Sequence, residues 1–347
     1  MKQLTKTGNS RVEWRDVAEP ELCGAGEALV RPLAVAVCDL DHLMIHGQAP
    51  IPGEIALGHE QVGEVVAVGG EVTGHRVGDL VAVPFQISCG FCDFCKRGRT
   101  GDCETVPPQS MYGFGMVGGD WGGALADLVR VPFADAMLVE VPRGLEPVSV
   151  ASASDNVVDG WRTVSRPLRR RSGAPVLVLG GLARSVGLYA VDAALALGAV
   201  SVTYVDTDPA RLAVAADLGA VVVEGPPSAD LGPFPVTVDA TASREGLVAA
   251  IGATERGGEC THVGILYEPE TPLPLLQMYV NGIQLNVGRA MARADLPDVL
   301  DHVAAGRLRP ERVTSRVVPW EAAGEAVLEF ETKLVVVRDG RGTPPPR

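Results

Sequence analysis

Four of the seven cysteines fall in one short stretch, SCGFCDFCKRGRTGDC, as Cys89, Cys92, Cys95 and Cys103. Their spacing is C-x2-C-x2-C-x7-C. Tetrahedral zinc needs four soft donors at about 2.3 Å from one point, and two-residue spacings with glycine turns bring them there from a single loop. An iron–sulfur cluster uses the same four donors and stays open at this point. Four cysteines leave no coordination position free, so a zinc held here is structural. Clustered cysteines in a reducing compartment read as metal ligands before disulfides. A second set is sparser: Cys38 in AVCDLDH, and Gly58, His59 and Glu60 in GHE. Taken singly, Cys38 reads as a buried thiol and His59 as an ordinary histidine as readily as either reads as a ligand.

The elements that must position these groups follow two rhythms. A chain of 347 residues favours two domains at roughly 150 residues each. Up to about residue 150, short Val-rich runs such as ALVRPLAVAV, QVGEVVAVGG and RVGDLVAVP are cut by Gly and Pro. These are strand-and-turn signals of a β-rich, barrel-type domain. From Pro175 the pattern changes to PVLVLGG, SVGLYAVDAALALGA, SVTYVDTDP, ARLAVAADLGA, AVVVEGP and FPVTVDATAS. Strand, helix, strand at that rhythm predicts a parallel sheet with crossover helices, hence an α/β fold. ADLPDVLDHVAAGRL then predicts a helix, and the closing GRGTPPPR predicts disorder.

The formal net charge of -13 disfavours a nucleic-acid or anionic-membrane surface, because both need clustered Lys and Arg. The one basic run, RPLRRR at 166–171, is read as a solvated loop between elements. The first residues, MKQLTKTGNSRVEW, lack the apolar core of a signal peptide, and no run of 18 apolar residues predicts a membrane span. The expected location is the cytoplasm.

GHEQVGEVVAVGGEVTGHRVGDLVAVP, followed at once by the four-cysteine loop and then by the strand–helix half, resembles the zinc-containing medium-chain alcohol dehydrogenases over almost the whole chain. The resemblance implies a β-rich GroES-like barrel catalytic domain in residues 1–155, and a Rossmann-type doubly wound parallel-sheet domain binding NAD in 156–288. Residues 289–347 would return to the catalytic domain and end in the disordered tail. It also implies one catalytic and one structural zinc per chain. Cys38 and His59 match the first two catalytic ligands, and Glu60 the neighbouring acid that serves as a transient ligand. The third ligand falls on Asp155, with Asp159 as the weaker candidate; a carboxylate there resembles the bacterial secondary-alcohol branch. Asp41 matches the aspartate that hydrogen-bonds the histidine ligand and fixes its tautomer.

Two positions depart from the family pattern. Leu40 stands where Ser or Thr normally begins a proton relay, and leucine neither donates nor accepts a proton. His42 is the nearest substitute, one position short of the relay histidine of bacterial members. Asp39 occupies a place that is often basic beside the cofactor pyrophosphate.

In the second half the fingerprint glycines are partly kept. The turn runs Gly180, Gly181, Leu182, Ala183, Arg184, Ser185, Val186, Gly187, with the last glycine present and the middle one lost. Arg184 is expected to bind the pyrophosphate bidentately and so offset Asp39. Asp206 would take the adenosine ribose and select NAD over NADP, and Arg211 would flank the adenosine. By resemblance, Val263, Gly264 and Ile265 lie beside the nicotinamide and Lys333 approaches the pyrophosphate. Met111, Tyr112, Phe114 and Trp121 are candidates for the substrate pocket. The implied activity is NAD-dependent interconversion of an alcohol with its aldehyde or ketone, in a homo-oligomer, dimer or tetramer. Conjugate reduction of an enone or enal on the same scaffold is the alternative that Leu40 suggests.

Overall fold

The computed structural model describes residues 1–115 and 117–338, so the GRGTPPPR stretch lies outside the described residues. The chain divides into two compact units, Met1–Val158 with Met291–Gly306 and the segment from Thr314, and Asp159–Ala290 with Arg307–Val313.

In the first unit a seven-stranded sheet runs in the order Arg316–Pro319, Leu334–Val337, Ala28–Val37, Glu60–Val68, Leu80–Val83 and Val139–Glu140, with Val129–Val131 also paired to Ala28–Val37. A three-stranded sheet holds Arg11–Asp16, Lys2–Gly8 and Ile55–Ala56. Val30, Val65, Val83, Ile87, Tyr112 and Met137 share one buried cluster. Register decides what meets at the end of the central strand. Ala36 pairs with Glu60 on one side, and Val37 pairs with Leu334 on the other. Cys38, Glu60 and Lys333 are thereby brought to the same end of the sheet.

That register gives Lys333 a partner that the sequence did not suggest. Its ammonium is completely buried and donates to Glu60 Oε1 at 2.7 Å, with both side chains fully shielded from water. Its direct partner is a carboxylate of the first unit's own sheet, whose attraction compensates the desolvation of a buried charge.

In the second unit six parallel strands lie in the order Val221–Glu224, Val202–Asp206, Val176–Leu179, Phe234–Asp239, Thr254–His262 and Gln284–Val287. Val176–Leu179 is buried at every position, as a strand covered on both faces must be. Sequence order reverses between Val176–Leu179 and Phe234–Asp239, the switch point outside which open α/β sheets bind ligands. The helix Pro209–Leu218 starts where Asp208 accepts from Ala210 N and Arg211 N, and stops at Gly219 with φ 110°.

The basic run is not a loop. Most of it forms the last turns of the helix Asn156–Arg170, which carries Pro167 within it. Arg170 is paired with Glu259, and Arg171 with Glu255 and the carbonyl of Gly257. Among the described residues no helix is long and apolar enough to cross a membrane.

Removing one partner of a buried ion pair strands the other charge. Lys333→Met is expected to lower stability by about 3–5 kcal/mol, read from urea-unfolding midpoints. Adding Glu60→Gln should recover most of the loss; a double variant no better than the single one would contradict a buried ion pair.

Candidate active site and metal centres

The four-cysteine loop is pinned by its own backbone. Cys92 caps the short helix Asp93–Lys96, its sulfur accepting from Cys95 N at 3.5 Å. Cys92 N donates to Cys89 Sγ at 3.3 Å, Cys89 N to Cys103 Sγ at 3.4 Å, and Thr105 Oγ1 to Cys89 Sγ at 3.1 Å. The four sulfurs lie within 4.8 Å of one another, and all seven cysteines are free of disulfides. The N–H groups of Cys95 and Glu104 hold the Cys92 thiol down at about 6. Donors aimed at sulfur favour the thiolate, which is the form that binds metal.

The second cluster draws its ligand atoms from three separate segments. Cys38 precedes the helix Asp39–Ile45 and caps it, Leu40 N donating to its sulfur at 3.4 Å. Asp39 falls in the first turn of that helix, where a negative charge suits the N-terminal dipole. His59 follows Gly58, whose φ of +89° and close approach to Leu125 N, 2.9 Å from an added Cβ, leave no room for a side chain. Asp155 ends the 3-10 turn Ala151–Ser154. Ligand atoms of Cys38, His59, Glu60 and Asp155 all lie within 4.8 Å of one another, and all four residues are buried. Asp159 stands apart, paired with Arg162 at 2.5 Å.

Both ring nitrogens of His59 face a carboxylate. Nδ1 lies 3.3 Å from Asp41 Oδ1, and Nε2 lies 3.3 Å from Asp155 Oδ2. Asp41 Oδ2 also accepts from Cys38 N at 2.9 Å, so one carboxylate braces both the cysteine and the histidine. Burial lowers the imidazole's proton affinity, but Asp41 and Asp155 outweigh it and raise it well above its usual range. Burial pushes the Cys38 thiol up to about 12. Burial likewise raises Glu60, against the opposing pull of Lys333. So many acidic groups in one dry place call for a cation, and sulfur, imidazole and carboxylate are donors that zinc accepts.

Aromatic rings close this site. Phe114 and Phe85 pack on His59, with centroids 5.0 and 5.9 Å away. Tyr112 is instead a core residue whose hydroxyl donates to Arg130 O at 2.8 Å, and Trp121 Nε1 donates to Gly118 O at 3.0 Å. His42 is buried with its ring 5.0 Å from that of Phe330.

In the second unit Gly180, Gly181, Arg184, Asp206 and Arg211 line one cavity of about 320 Å³. A side chain at Gly180 would meet Tyr204 Oη at 2.3 Å and Asp206 Oδ2 at 2.4 Å. Ser185, Val186 and Gly187 lie in the helix Arg184–Ala196 and are not among the lining residues; Gly187 packs that helix close to Ala240. Asp206 is more heavily engaged than its motif suggests. Arg211 grips both its oxygens at 2.7 Å, and Tyr204 Oη and two backbone N–H groups also donate to it. Burial raises this carboxyl, but Arg211 and Tyr204 outweigh it and hold it below the usual range.

Comparison with known proteins decides the family. Residues 24–143 match the family described as alcohol dehydrogenase GroES-like domain, and residues 185–305 the one described as zinc-binding dehydrogenase. An alcohol dehydrogenase of Geobacillus stearothermophilus is 31% identical over 86% of this chain and 87% of its own. The chain belongs to the zinc-containing medium-chain alcohol dehydrogenases. A probable zinc-binding alcohol dehydrogenase of Mycobacterium tuberculosis is 29% identical over 94% of this chain and 84% of its own. The structure of alcohol dehydrogenase TADH from Thermus sp. ATN1 superimposes with a TM-score of 0.90 at 31% identity, over 97% of this chain and 100% of that one. The α/β fold of a GroES-like and a Rossmann-like domain is therefore established for this dehydrogenase, and with it an oxidoreductase whose two donor clusters suit zinc.

Sequence reasoning passed over a network beside the cavity. Asp239, fully buried, accepts from Thr241 N at 3.0 Å and Oγ1 at 2.6 Å, and its other oxygen accepts from His262 Nδ1 at 2.6 Å. Thr241 and Ser243 line the cavity, and His262 directly precedes Val263 to Ile265, where Gly264 presses against Ala242. The available signal was a polar residue closing each of two otherwise strand-like runs.

Proposed function

We propose that the protein interconverts an alcohol with its aldehyde or ketone, with NAD as hydride partner, a catalytic zinc on Cys38, His59 and Asp155, and a structural zinc on Cys89, Cys92, Cys95 and Cys103. The observation that carries this reading is the convergence of Cys38, His59, Glu60 and Asp155 within 4.8 Å in a chain of this family. When bound, zinc supplies a Lewis acid for the substrate oxygen and NAD supplies or takes the hydride. The chain's own groups do the rest. Asp41 holds His59 Nδ1 and so turns Nε2 toward the ligand set. Phe114 and Phe85 shield the imidazole from water. Glu60, tethered by Lys333, stands ready as a further oxygen donor.

Proton movement is where this chain differs. Leu40 contributes its backbone N–H to Cys38 Sγ and no hydroxyl. His42 sits against Phe330, so we assign the proton to water. Leu40 also favours a second reading, conjugate reduction of an activated C=C bond, in which a hydroxyl relay is dispensable.

The deciding assay follows NADH oxidation by zinc-loaded protein against matched saturated aldehydes, saturated ketones and enones, with products identified by NMR. Reduction of the saturated carbonyls is expected. In that case Leu40→Thr should raise turnover at least ~10-fold, since a positioned proton relay is typically worth about 10²–10⁴ in rate. Consumption of enones alone would transfer the assignment to the second reading.

Asp206 supports NAD because a carboxylate at that strand end accepts ribose hydroxyls and repels a 2′-phosphate. Arg211 would be released by Asp206→Ser to meet such a phosphate. The NADPH-to-NADH ratio of kcat/KM is expected to rise ~10-fold or more, about 1.4 kcal/mol; an unchanged ratio would remove Asp206 from cofactor selection.

Assembly as a dimer or tetramer has a surface that suits it. Leu275, Leu276, Tyr279 and Val280 are between 66% and 85% exposed on the helix Leu275–Asn281, beside the edge strand Gln284–Val287. Residues 271–288 contain no charged side chain, so two copies of a chain of net charge -13 can meet there without repulsion. Leu276→Asp is expected to lower the mass found by sedimentation equilibrium. Full retention of the wild-type mass would place the contact elsewhere.

A further inference from the structure

We propose that Asn156 is a positioning residue for Cys38, its side-chain amide hydrogen-bonding the sulfur and setting how firmly the Cys38–His59–Asp155 site keeps its metal. The inference rests on the zinc reading above. Asn156 follows Asp155 directly and opens the helix Asn156–Arg170, so the segment that delivers one ligand also delivers the neighbour of another. It is 2% exposed, and Cys38 Sγ donates to its Oδ1 at 3.3 Å across 118 positions of sequence.

An amide is two-ended. In the metal-free chain its oxygen accepts from the thiol. A metal-bound cysteine is a thiolate and only accepts. Half a turn about the last side-chain torsion brings Nδ2 to the sulfur, so the same residue serves both states. Leu40 N–H already donates to this atom at 3.4 Å. The four-cysteine loop differs, because its sulfurs are served mainly by backbone N–H groups, which do not depend on the side chain carried at the donor position. At Cys38 part of that service rests on one replaceable side chain. Groups around the ligands orient and tune them, and their loss typically costs about 10–100-fold in metal affinity.

The test uses full-length, zinc-loaded wild type and Asn156→Leu, which removes both ends of the amide at similar volume. Zinc transfer to a colorimetric chelator and the sulfur-to-cobalt charge-transfer band of the cobalt-substituted site are measured. Wild type should release zinc in two distinct phases. Asn156→Leu should keep its thermal midpoint and the slow phase, while the other zinc is lost ~10–100-fold more readily and the cobalt band moves to lower energy. Asn156→Ala, which only removes atoms, carries the same test where leucine does not fit. Wild-type release and an unmoved band in a folded variant overturn the proposal. A wild type that takes up one zinc only overturns the catalytic-zinc reading instead.

Discussion

The rest of the structure depends on how much acidity it buries at one end of the first unit's sheet. Asp41, Glu60 and Asp155 lie there beside the Cys38 thiol, all shielded from water, with His59 and Lys333 as the facing basic groups. Uncompensated charge in a dry interior is expensive, and proteins meet it with pairing or a metal. Here pairing covers only part. Lys333 answers Glu60, and His59 is shared between Asp41 and Asp155, which leaves Cys38, His59 and Asp155 as a set of donors that could hold a divalent cation.

This constraint explains why parts of the site were legible and others were not. The four-cysteine loop was readable because its ligands are local and their spacing is itself the geometry. Cys38 and His59 needed the family resemblance, since neither residue alone distinguishes a ligand from a core side chain. Asp155 required both the resemblance and the absence of a nearby cysteine, and the structure places it, not Asp159, in the cluster. The partner of Lys333 was not legible because it lies 273 positions away, and the pairing of Ala28–Val37 with two other strands brings them together. The basic run at 166–171 was read as a loop between elements, whereas the helix Asn156–Arg170 continues through Pro167 and takes in most of it.

In the second unit the fold was legible from the alternation of strand and helix, but the polar wiring was not. Periodicity identifies which residues face a core; it does not say which buried carboxylate finds which donor. Asp206 fitted its expected place, yet its saturation by Arg211, Tyr204 and backbone N–H groups could not be read from the motif. Asp239 went unnoticed because its partners, Thr241 and His262, come from the turn after its own strand and from the next strand.

The two donor clusters also differ in what metal binding does to the chain. The cysteine loop gathers its four sulfurs from one stretch of sequence. The Cys38 site draws on residues 38–41, 59–60 and 155–156, with Lys333 behind Glu60, so a metal there ties together strands, a helix start and a turn. A site assembled from distant segments has its geometry set by the fold around it, which is what chemistry on a bound substrate requires. It is also exposed to single substitutions, and Leu40 is one. There the backbone N–H donates to Cys38 Sγ while the side chain carries no group that can pass a proton, so the backbone and the side chain of one residue differ in what they can offer the site.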